Sequence, residues 1–290
     1  MEAALNSNKK TDTSQRLEGG KRLAGDDSAS KARAGLPLIS IVTVVFNDVK
    51  NLQRTIDSIS YQSYENLEHI VIDGFSWDGT LDVIKNNSSI DYWLSEKDGG
   101  IYDAMNKGIS AATGQWINFM NSGDVFFNSS VLSDVFNGDN FSDKEMIYGD
   151  VEVDYGEFKK IKKSGSISSL KQGMQFSHQS LFAARSLLAP MMFDVSYRTA
   201  ADYDFIIRAW RQGATFHYVN TVISSVSSGG VSDVRRVSSH QQRVKILNSS
   251  LDLSTFDKFK LWLQSVAIFA SEKIRSIFPA WLLNWIRKVK

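Results

Sequence analysis

The chain has 290 residues, of which 42% are hydrophobic, so it can fill one sizeable core or a core with an appendage. Its 33 basic and 32 acidic residues leave a formal charge of +1, which gives the whole chain no field suited to nucleic acid. The lack of Cys excludes disulfides, thiolate zinc sites and cysteine nucleophiles, and it fits a reducing compartment.

The first 35 residues are rich in Lys, Asp, Ser, Gly and Ala and show no apolar periodicity. This composition predicts a disordered N-terminal extension over residues 1–35. The same stretch lacks the continuous apolar segment of a signal peptide, which argues against secretion and leads us to expect a cytoplasmic protein.

From residue 36 onward, strand-like and helix-like segments alternate. Residues 39–46 form a continuous apolar run, typical of a parallel strand that is covered on both faces. Helical spacing follows in VKNLQRTIDSIS, TLDVIKNN and IYDAMNKGISAATG, and strands are predicted in LEHIVIDG, DYWLSEKDGG and QWINFMNSGD. The alternation predicts an α/β layer with right-handed crossovers and functional sites at the carboxyl ends of its strands.

The later segments have a different pattern. MIYGDVEVDYGEFKKIKKSG reads as two strands joined by a turn at Tyr155 and Gly156, and TFHYVNTVISSVS supplies one or two more strands. Between them, TAADYDFIIRAWRQG reads as an amphipathic helix that ends at Gly213.

Three predicted strands end at acidic residues, Asp73, Asp98 and Asp124. A dinucleotide enzyme would need a Gly-rich turn after the first strand, but that position reads Phe46-Asn47-Asp48. A P-loop sequence is missing as well. The acidic strand ends therefore favour another nucleotide chemistry.

Five motifs occur in the order found in one known family: ISIVTVVFN, VIDGFSWDGT, GIYDAMNKGI, FMNSGD and ADYDFIIR. Over residues 37–232 the chain resembles family 2 glycosyltransferases. GIYDAMNKG, NSGD and the downstream HQS are similar to the bacterial members that build exopolysaccharide, colanic acid or O-antigen. The resemblance implies an α/β GT-A fold, a Rossmann-like, mostly parallel sheet flanked by helices, here with a C-terminal amphipathic helical extension.

The resemblance also implies a donor site for a nucleotide-diphosphate sugar. Asp73 would accept hydrogen bonds from the base or ribose, although a helix-capping role is the alternative. Phe46 would lie near the base or pack in the core, and Lys107 would face phosphate or remain a solvated surface charge. The residues implied in donor binding are Thr43, Phe46, Asn47, Asp73, Asp98, Gly100, Lys107 and Asn121.

The NSGD motif matches the family's metal-binding position. Asp124 is the implied ligand of Mg²⁺ or Mn²⁺, because these ions take one or two carboxylates together with substrate phosphates. The family pattern has a second acidic residue where this chain has Asn121, which puts strict metal dependence in doubt. Without the other motifs, NSGD would read as an ordinary β-turn.

Asp202 is the residue that matches the family's catalytic base, with Ala201 in place of a Glu. A single base opposite the leaving group implies inversion at the anomeric carbon. A carboxylate favoured by the helix dipole is the structural alternative. His178 and Gln179 of HQS are expected near the acceptor.

The last segment, residues 239–290, carries apolar residues at intervals of three and four with basic residues between them. Charges interrupt every apolar run before the ~20 residues that a bilayer span needs. We expect an interfacial amphipathic helix at the inner face of the cytoplasmic membrane, or else a hairpin packed on the catalytic domain or on a second subunit.

Together these features predict an inverting glycosyltransferase with a nucleotide-sugar donor, a lipid-linked or oligosaccharide acceptor, and no nucleic-acid partner. A nucleotide-dependent methyltransferase would also place an acidic residue at a strand end, but it leaves NSGD and ADYD unexplained. A catalytically silent sugar-nucleotide or polysaccharide-binding module is the alternative from another class, since Asn121 and Ala201 depart from the family pattern.

Overall fold

The computed structural model describes residues 16–25, 35–138, 141–230 and 235–277. Within these residues a ten-stranded sheet forms the centre of the molecule. The strands are β1 Leu17–Gly19, β2 Ile39–Val45, β3 Leu67–Asp73, β4 Tyr92–Ser95, β5 Trp116–Phe119, β6 Val125–Phe126, β7 Met146–Asp154, β8 Lys159–Lys162, β9 Leu181–Ala184 and β10 Phe216–Ser227. The helices are α1 Val49–Ser60, α2 Thr80–Lys85, α3 Ile101–Ala111, α4 Val131–Phe136, α5 Arg185–Met191, α6 Ala201–Arg211, α7 Arg236–Ser250 and α8 Thr255–Ile277.

The first half of the sheet has the predicted parallel arrangement. Strands β4, β3, β2 and β5 lie side by side in that order, and each neighbouring pair is parallel. The chain moves outward from β2 through β3 to β4 and then returns to place β5 on the other side of β2. Such a reversal opens a crevice beyond the carboxyl ends of the two strands that flank it, where ligands of α/β proteins bind.

Strand β2 is fully covered because helices pack on both of its faces. Val42 and Val44 join α3 and α6 in one core cluster, whereas Ile39 and Ile41 join α1 and α4 in another. Gly108 lets α3 approach closely, since a Cβ atom there would lie 2.3 Å from a methyl group of Val42. The continuous apolar run in the sequence thus has the structural cause expected for a buried parallel strand.

The second half of the sheet is mixed. Strand β9 inserts antiparallel between β5 and β7, β10 runs parallel to β7, and β6 closes the edge antiparallel to β10. The hairpin expected around Tyr155 and Gly156 is formed by β7 and β8. Alternation of strands and helices did not predict β9, which follows a 3₁₀ turn at His178–Ser180.

A strand that the sequence analysis did not predict lies within the N-terminal stretch. Strand β1 pairs antiparallel with the edge strand β4. Arg22 next to it donates hydrogen bonds to Glu68 and to the carbonyl of Ala111, so residues 16–25 are fixed to the domain. The expectation of disorder for 1–15 and 26–34 falls outside the described residues.

Helices α7 and α8 extend the domain after β10. Gln242 of α7 accepts a hydrogen bond from the backbone N–H of Thr199, and His240 contacts Ser265 of α8 at 2.8 Å. The last 13 residues of the predicted C-terminal helical region, 278–290, lie outside the described residues. In the part that the structure describes, no helix is both long and apolar enough to cross a membrane.

Candidate active site

A cavity of about 1080 Å³ opens at the carboxyl ends of β2 and β5, at the reversal of strand order. Phe46 lines it just after β2, and Asn121 and Asp124 line it after β5. Helix α6 contributes Asp202, and α7 contributes Arg236, Ser239 and Arg243. The cavity therefore joins the carboxyl edge of the parallel sheet to elements from the second half of the chain.

Asp202 enters the cavity from the first turn of α6. The helix is anchored by an apolar face that includes Tyr203, Ile206 and Ile207, all at most 1% exposed. The Tyr102 hydroxyl donates to Asp202 Oδ1 at 3.0 Å, and the backbone N–H of Tyr203 donates to the same oxygen at 2.9 Å. The carboxylate is thus held in one orientation by neighbours on α3 and α6.

His178 approaches the other oxygen of Asp202, with Nδ1 3.5 Å from Oδ2. The side-chain amide nitrogen of Asn121 lies 3.0 Å from His178 Nε2, so the His178 ring lies between Asn121 and Asp202. Burial opposes ionisation of Asp202, but His178, the N–H of Tyr203 and Tyr102 outweigh it and hold the pKa of Asp202 below its ordinary value. Asp202 is therefore an anion at neutral pH.

Gln179, the next residue in the chain, holds Asp124. Its Nε2 donates to Asp124 Oδ2 at 2.7 Å, while burial raises the pKa of Asp124. Adjacent residues on one 3₁₀ turn thus contact both candidate carboxylates, His178 on the side of Asp202 and Gln179 on the side of Asp124. The 3₁₀ turn itself is fixed because the side-chain amide of Asn118 in β5 donates to the backbone carbonyl of Gln179 at 3.0 Å.

Hydrogen bonds with Thr55 of α1 fix the NSGD turn. Thr55 Oγ1 donates to the carbonyl of Asp124 at 2.8 Å and accepts from the N–H of Gly123 at 2.9 Å. Gly123 has a φ of +90°, a conformation that favours glycine. Because glycine has no side chain, its backbone is exposed at the cavity wall. The turn can therefore present its backbone closely to a ligand.

The NSGD turn is compatible with a divalent cation whose coordination is completed by oxygen atoms of a substrate. Asn121 Oδ1 is buried and accepts no hydrogen bond from any residue that the structure describes, and it belongs to the same cavity wall as Asp124. No group of three or more His, Cys, Asp or Glu residues in the described ranges forms a complete metal cage. A carboxylate with neighbouring oxygen atoms matches the requirement of Mg²⁺ or Mn²⁺ when substrate phosphates fill the remaining positions.

Phe46 lines the cavity next to β2 and packs against Trp77 outside the lining. Phe46 is 55% exposed and Trp77 is 77% exposed, with their rings edge to face at 5.2 Å. Gly74 allows the approach of Phe46 and Asp98, because a Cβ atom there would lie 2.6 Å from Asp98 Oδ2. The backbone N–H of Gly100 donates to Asp98 at 2.9 Å, while burial raises the pKa of Asp98. Exposed aromatic rings beside a carboxylate offer stacking and hydrogen bonding to a base.

Four residues implied in donor binding do not line the cavity. Asp73 is fully buried, and its carboxylate accepts hydrogen bonds from Ser76 and Ser95. Thr43 lies inside the sheet against a histidine, Asn47 holds the loop that carries Trp77, and Lys107 pairs with Glu96 on the surface. The other implied residues, Phe46, Asp98, Gly100, Asn121, Asp124, His178, Gln179 and Asp202, do line it.

The structure adds cavity residues that sequence reasoning missed. Asp48 accepts hydrogen bonds from Asn51 and from Ser122 of the NSGD turn. Basic and hydroxyl side chains line the cavity on the side of α6 and α7, and we call this set the arginine wall. It comprises Arg198, Thr199, Arg236, Ser239 and Arg243. The spacing of Arg236, Ser239 and Arg243 by three and four was the available signal for a shared helix face.

Comparison with known sequences identifies the family. The profile described as Glycosyl transferase family 2 matches residues 40–198. A Mycobacterium tuberculosis protein described as an uncharacterized glycosyltransferase is 32% identical over 191 residues, which cover 60% of this chain and 69% of that protein. A Mycobacterium bovis protein described as a PGL/p-HBAD biosynthesis glycosyltransferase is 30% identical over 206 residues, covering 68% and 80%.

Solved structures show the same fold at low sequence identity. The mannosyltransferase of Pyrobaculum calidifontis in complex with GDP-Man and Mn²⁺ has a TM-score of 0.60 and 14% identity, covering 89% of this chain and 81% of its own. Staphylococcus aureus TarS 1–349 in complex with UDP-GlcNAc has a TM-score of 0.58 and 15% identity, covering 81% and 73%. The chain spans only 43% of the longer TarS structure. With an α/β GT-A fold and a family profile that covers more than half of its length, this chain belongs to the family 2 glycosyltransferases.

Proposed function

We propose that the chain is an inverting glycosyltransferase that moves a hexosyl or deoxyhexosyl group from a nucleotide-diphosphate sugar to a saccharide acceptor in bacterial surface polysaccharide synthesis. The observation that carries the proposal is the turn at His178 and Gln179, whose side chains contact Asp202 and Asp124 within one cavity. The turn thereby fixes the position of Asp202, the proposed base, relative to Asp124, the proposed ligand of the metal–diphosphate complex. A substitution at the anomeric carbon requires such fixed positions, because the base and the leaving group act on the same carbon.

The donor occupies the part of the cavity between β2 and β5 in this proposal. The base of the nucleotide lies beside Phe46 and Trp77, with Asp98 as a hydrogen-bond acceptor, and the diphosphate lies over the NSGD turn. Solved relatives of the same fold are described with UDP-GlcNAc and with GDP-Man, which supports a nucleotide-sugar donor.

Asp202 removes the proton from the acceptor hydroxyl. As the bond between the anomeric carbon and the phosphate oxygen breaks, the acceptor oxygen forms the new glycosidic bond, and the nucleoside diphosphate leaves with its electron pair. Attack from the side opposite the leaving group inverts the configuration. Positive charge that develops on the sugar makes the hydroxyl more acidic, so an ionised carboxylate suffices as the base.

Asp124 is the residue that would hold Mg²⁺ or Mn²⁺, with the oxygen atoms of the donor diphosphate completing the coordination. A bound divalent cation at this place supplies charge stabilisation for the departing diphosphate. Gln179 orients the carboxylate of Asp124 towards this task through its hydrogen bond to Oδ2.

We expect the full chain to release nucleoside diphosphate from one class of donor when UDP-, GDP- and dTDP-sugars are compared in Mn²⁺. The preferred donor should react at least about tenfold faster than the others, and EDTA should remove the activity. The assay is run with and without a membrane extract from a polysaccharide-producing bacterium as the source of acceptor, and the extract alone is the control. Tight nucleotide binding without turnover in any of these mixtures would instead favour the catalytically silent binding module.

The membrane contact expected from the sequence is retained as a proposal for α8. Phe259, Trp262, Val266 and Phe269 recur at intervals of three and four and are each 48–58% exposed. The buried Leu261 lies on the side that packs against the domain. A helix with an exposed apolar stripe and flanking lysines at 258 and 260 suits the surface of an anionic membrane.

A vesicle sedimentation experiment tests this contact. The full chain should pellet with vesicles that contain phosphatidylglycerol, and the double variant Phe259→Ser/Trp262→Ser should bind them about tenfold or more weakly, because each exposed aromatic loses its burial in the interface. The matched control is Tyr61→Ser/Ile161→Ser, which removes exposed apolar side chains elsewhere. If wild type does not pellet but forms dimers that the α8 variant dissociates, the helix covers a second copy and the membrane contact is wrong.

A further inference from the structure

Three polar atoms of the arginine wall are buried without a partner. Thr199 Oγ1, Ser239 Oγ and Arg243 Nε accept or donate no hydrogen bond within the described part of the chain. Buried polar groups are nearly always paired in native proteins, so a cluster of orphaned donors on one cavity wall indicates a missing ligand. All three atoms belong to groups that donate hydrogen bonds to an anion.

The residues that α7 contributes to the arginine wall lie on one face of this helix. Arg236, Ser239 and Arg243 are spaced by three and four along the helix, and all line the cavity. Thr199 is fixed beside this face because its backbone N–H donates to Gln242 of α7 at 3.0 Å. Burial lowers the pKa of Arg243, while Tyr203 and Asp202 act in the opposite direction.

The arginine wall lies beside the proposed base, because Thr199 is three residues before Asp202 on the segment that leads into α6. Arg243 interacts electrostatically with Asp202. An anion on the wall would therefore lie beside Asp202, where the proposed mechanism places the acceptor.

We propose that the arginine wall is a subsite for a phosphate or diphosphate ester of the acceptor, bound close to the hydroxyl that receives the sugar. Guanidinium groups match phosphate oxygen atoms with paired N–H donors, and the two hydroxyl groups complete the recognition. Ile268 of the amphipathic helix α8 lines the same cavity and offers an apolar contact to a lipid-linked ester. This inference rests on the proposed function and names the chemical class of its acceptor.

The test distinguishes the arginine wall from the donor diphosphate site at Asp124, because only the donor site is proposed to need a metal ion. Binding of farnesyl diphosphate and of glucose 1-phosphate to the full chain in EDTA measures anion binding at the arginine wall. In Mn²⁺, binding of UDP or GDP, whichever wild type binds more tightly, reports the donor site. We expect Arg243→Gln to weaken binding of the phosphate-ester probes about tenfold or more, and to change nucleotide binding by less than about twofold. Arg243→Lys should lose less, because it keeps the charge but not the paired N–H geometry.

The matched control is Arg211→Gln, which removes the same charge from the exposed end of α6. Binding of farnesyl diphosphate but not glucose 1-phosphate would support the subsite with a lipid-linked ester as its source, and binding of both would support a free phosphate ester as well. Probe binding that Arg243→Gln does not alter, or an equal loss of nucleotide binding, would overturn the subsite while leaving the proposed function standing. Failure of wild type to bind either nucleotide in Mn²⁺ would overturn both.

Discussion

Asp202→Asn is expected to lower the rate of sugar transfer about 10²–10⁴-fold, the range over which a positioned general base contributes to catalysis. The amide keeps an oxygen that accepts hydrogen bonds from the Tyr102 hydroxyl and the N–H of Tyr203, so the local structure should persist. Only the capacity to take a proton is lost. The measurement is kcat for the preferred donor in Mn²⁺, together with the dissociation constant of its nucleotide, which should stay within about twofold of wild type.

The control for this variant is Asp82→Asn, which removes the same charge from an exposed position on α2 outside the cavity. It should transfer sugar at the wild-type rate. A normal rate in Asp202→Asn would remove that residue from the role of base. An equal loss of nucleotide binding and transfer would show instead that Asp202 maintains the donor site.

The pH profile of the wild-type enzyme gives a second measure of the same role. The pKa of Asp202 is lowered in the folded protein, so the carboxylate stays ionised below the pH at which an ordinary aspartate becomes protonated. The transfer rate should therefore be maintained through neutral and mildly acidic pH and fall only as pH decreases through this lowered pKa. An acidic limb near neutral pH would indicate that another group titrates.

The parallel half of the fold follows from its sequence pattern because each element there is determined locally. Continuous apolar runs alternate with helical spacing from β2 to β5, and short crossovers leave little choice of topology. Strand β9 could not be predicted in the same way, because its partners β5 and β7 are brought to it by segments far away in the sequence. Strand β1 has no apolar periodicity, and its position depends on the free edge of β4 and on the buried carboxylate of Glu68.

The same distinction applies to the candidate site. Motifs predicted that Asp124 and Asp202 belong together, and the structure places both in one cavity. Resemblance could not show that Asp73 is enclosed by two serine side chains, since Ser95 comes from the neighbouring strand. Its contact with a nucleotide stays a prediction. The hydroxyl and guanidinium groups of the arginine wall were missed because the wall is formed only when α7 packs beside Thr199.

Asp124→Asn is expected to remove metal-stimulated transfer and to lower the rate about 10²–10³-fold, the order of losing one electrostatic stabiliser of the transition state. The variant keeps an oxygen that can accept the hydrogen bond from Gln179, so the NSGD turn should stay in place. The lost negative charge should weaken binding of Mn²⁺ and, with it, binding of the nucleoside diphosphate in the presence of Mn²⁺. Nucleotide binding in EDTA should change little, because the contacts proposed for the base, at Phe46 and Asp98, do not involve Asp124.

The comparison with Asp202→Asn makes this result specific. Loss of the metal ligand should weaken nucleotide binding only when Mn²⁺ is present, whereas loss of the base should reduce kcat with binding preserved. Asp82→Asn again controls for the change in net charge. If Asp124→Asn retains a normal response to Mn²⁺, the cation is held elsewhere, and Asp48, which lines the cavity and contacts Ser122 of the same turn, becomes the next residue to replace. If wild-type transfer does not depend on Mn²⁺ at all, the proposed role of Asp124 as a metal ligand is wrong.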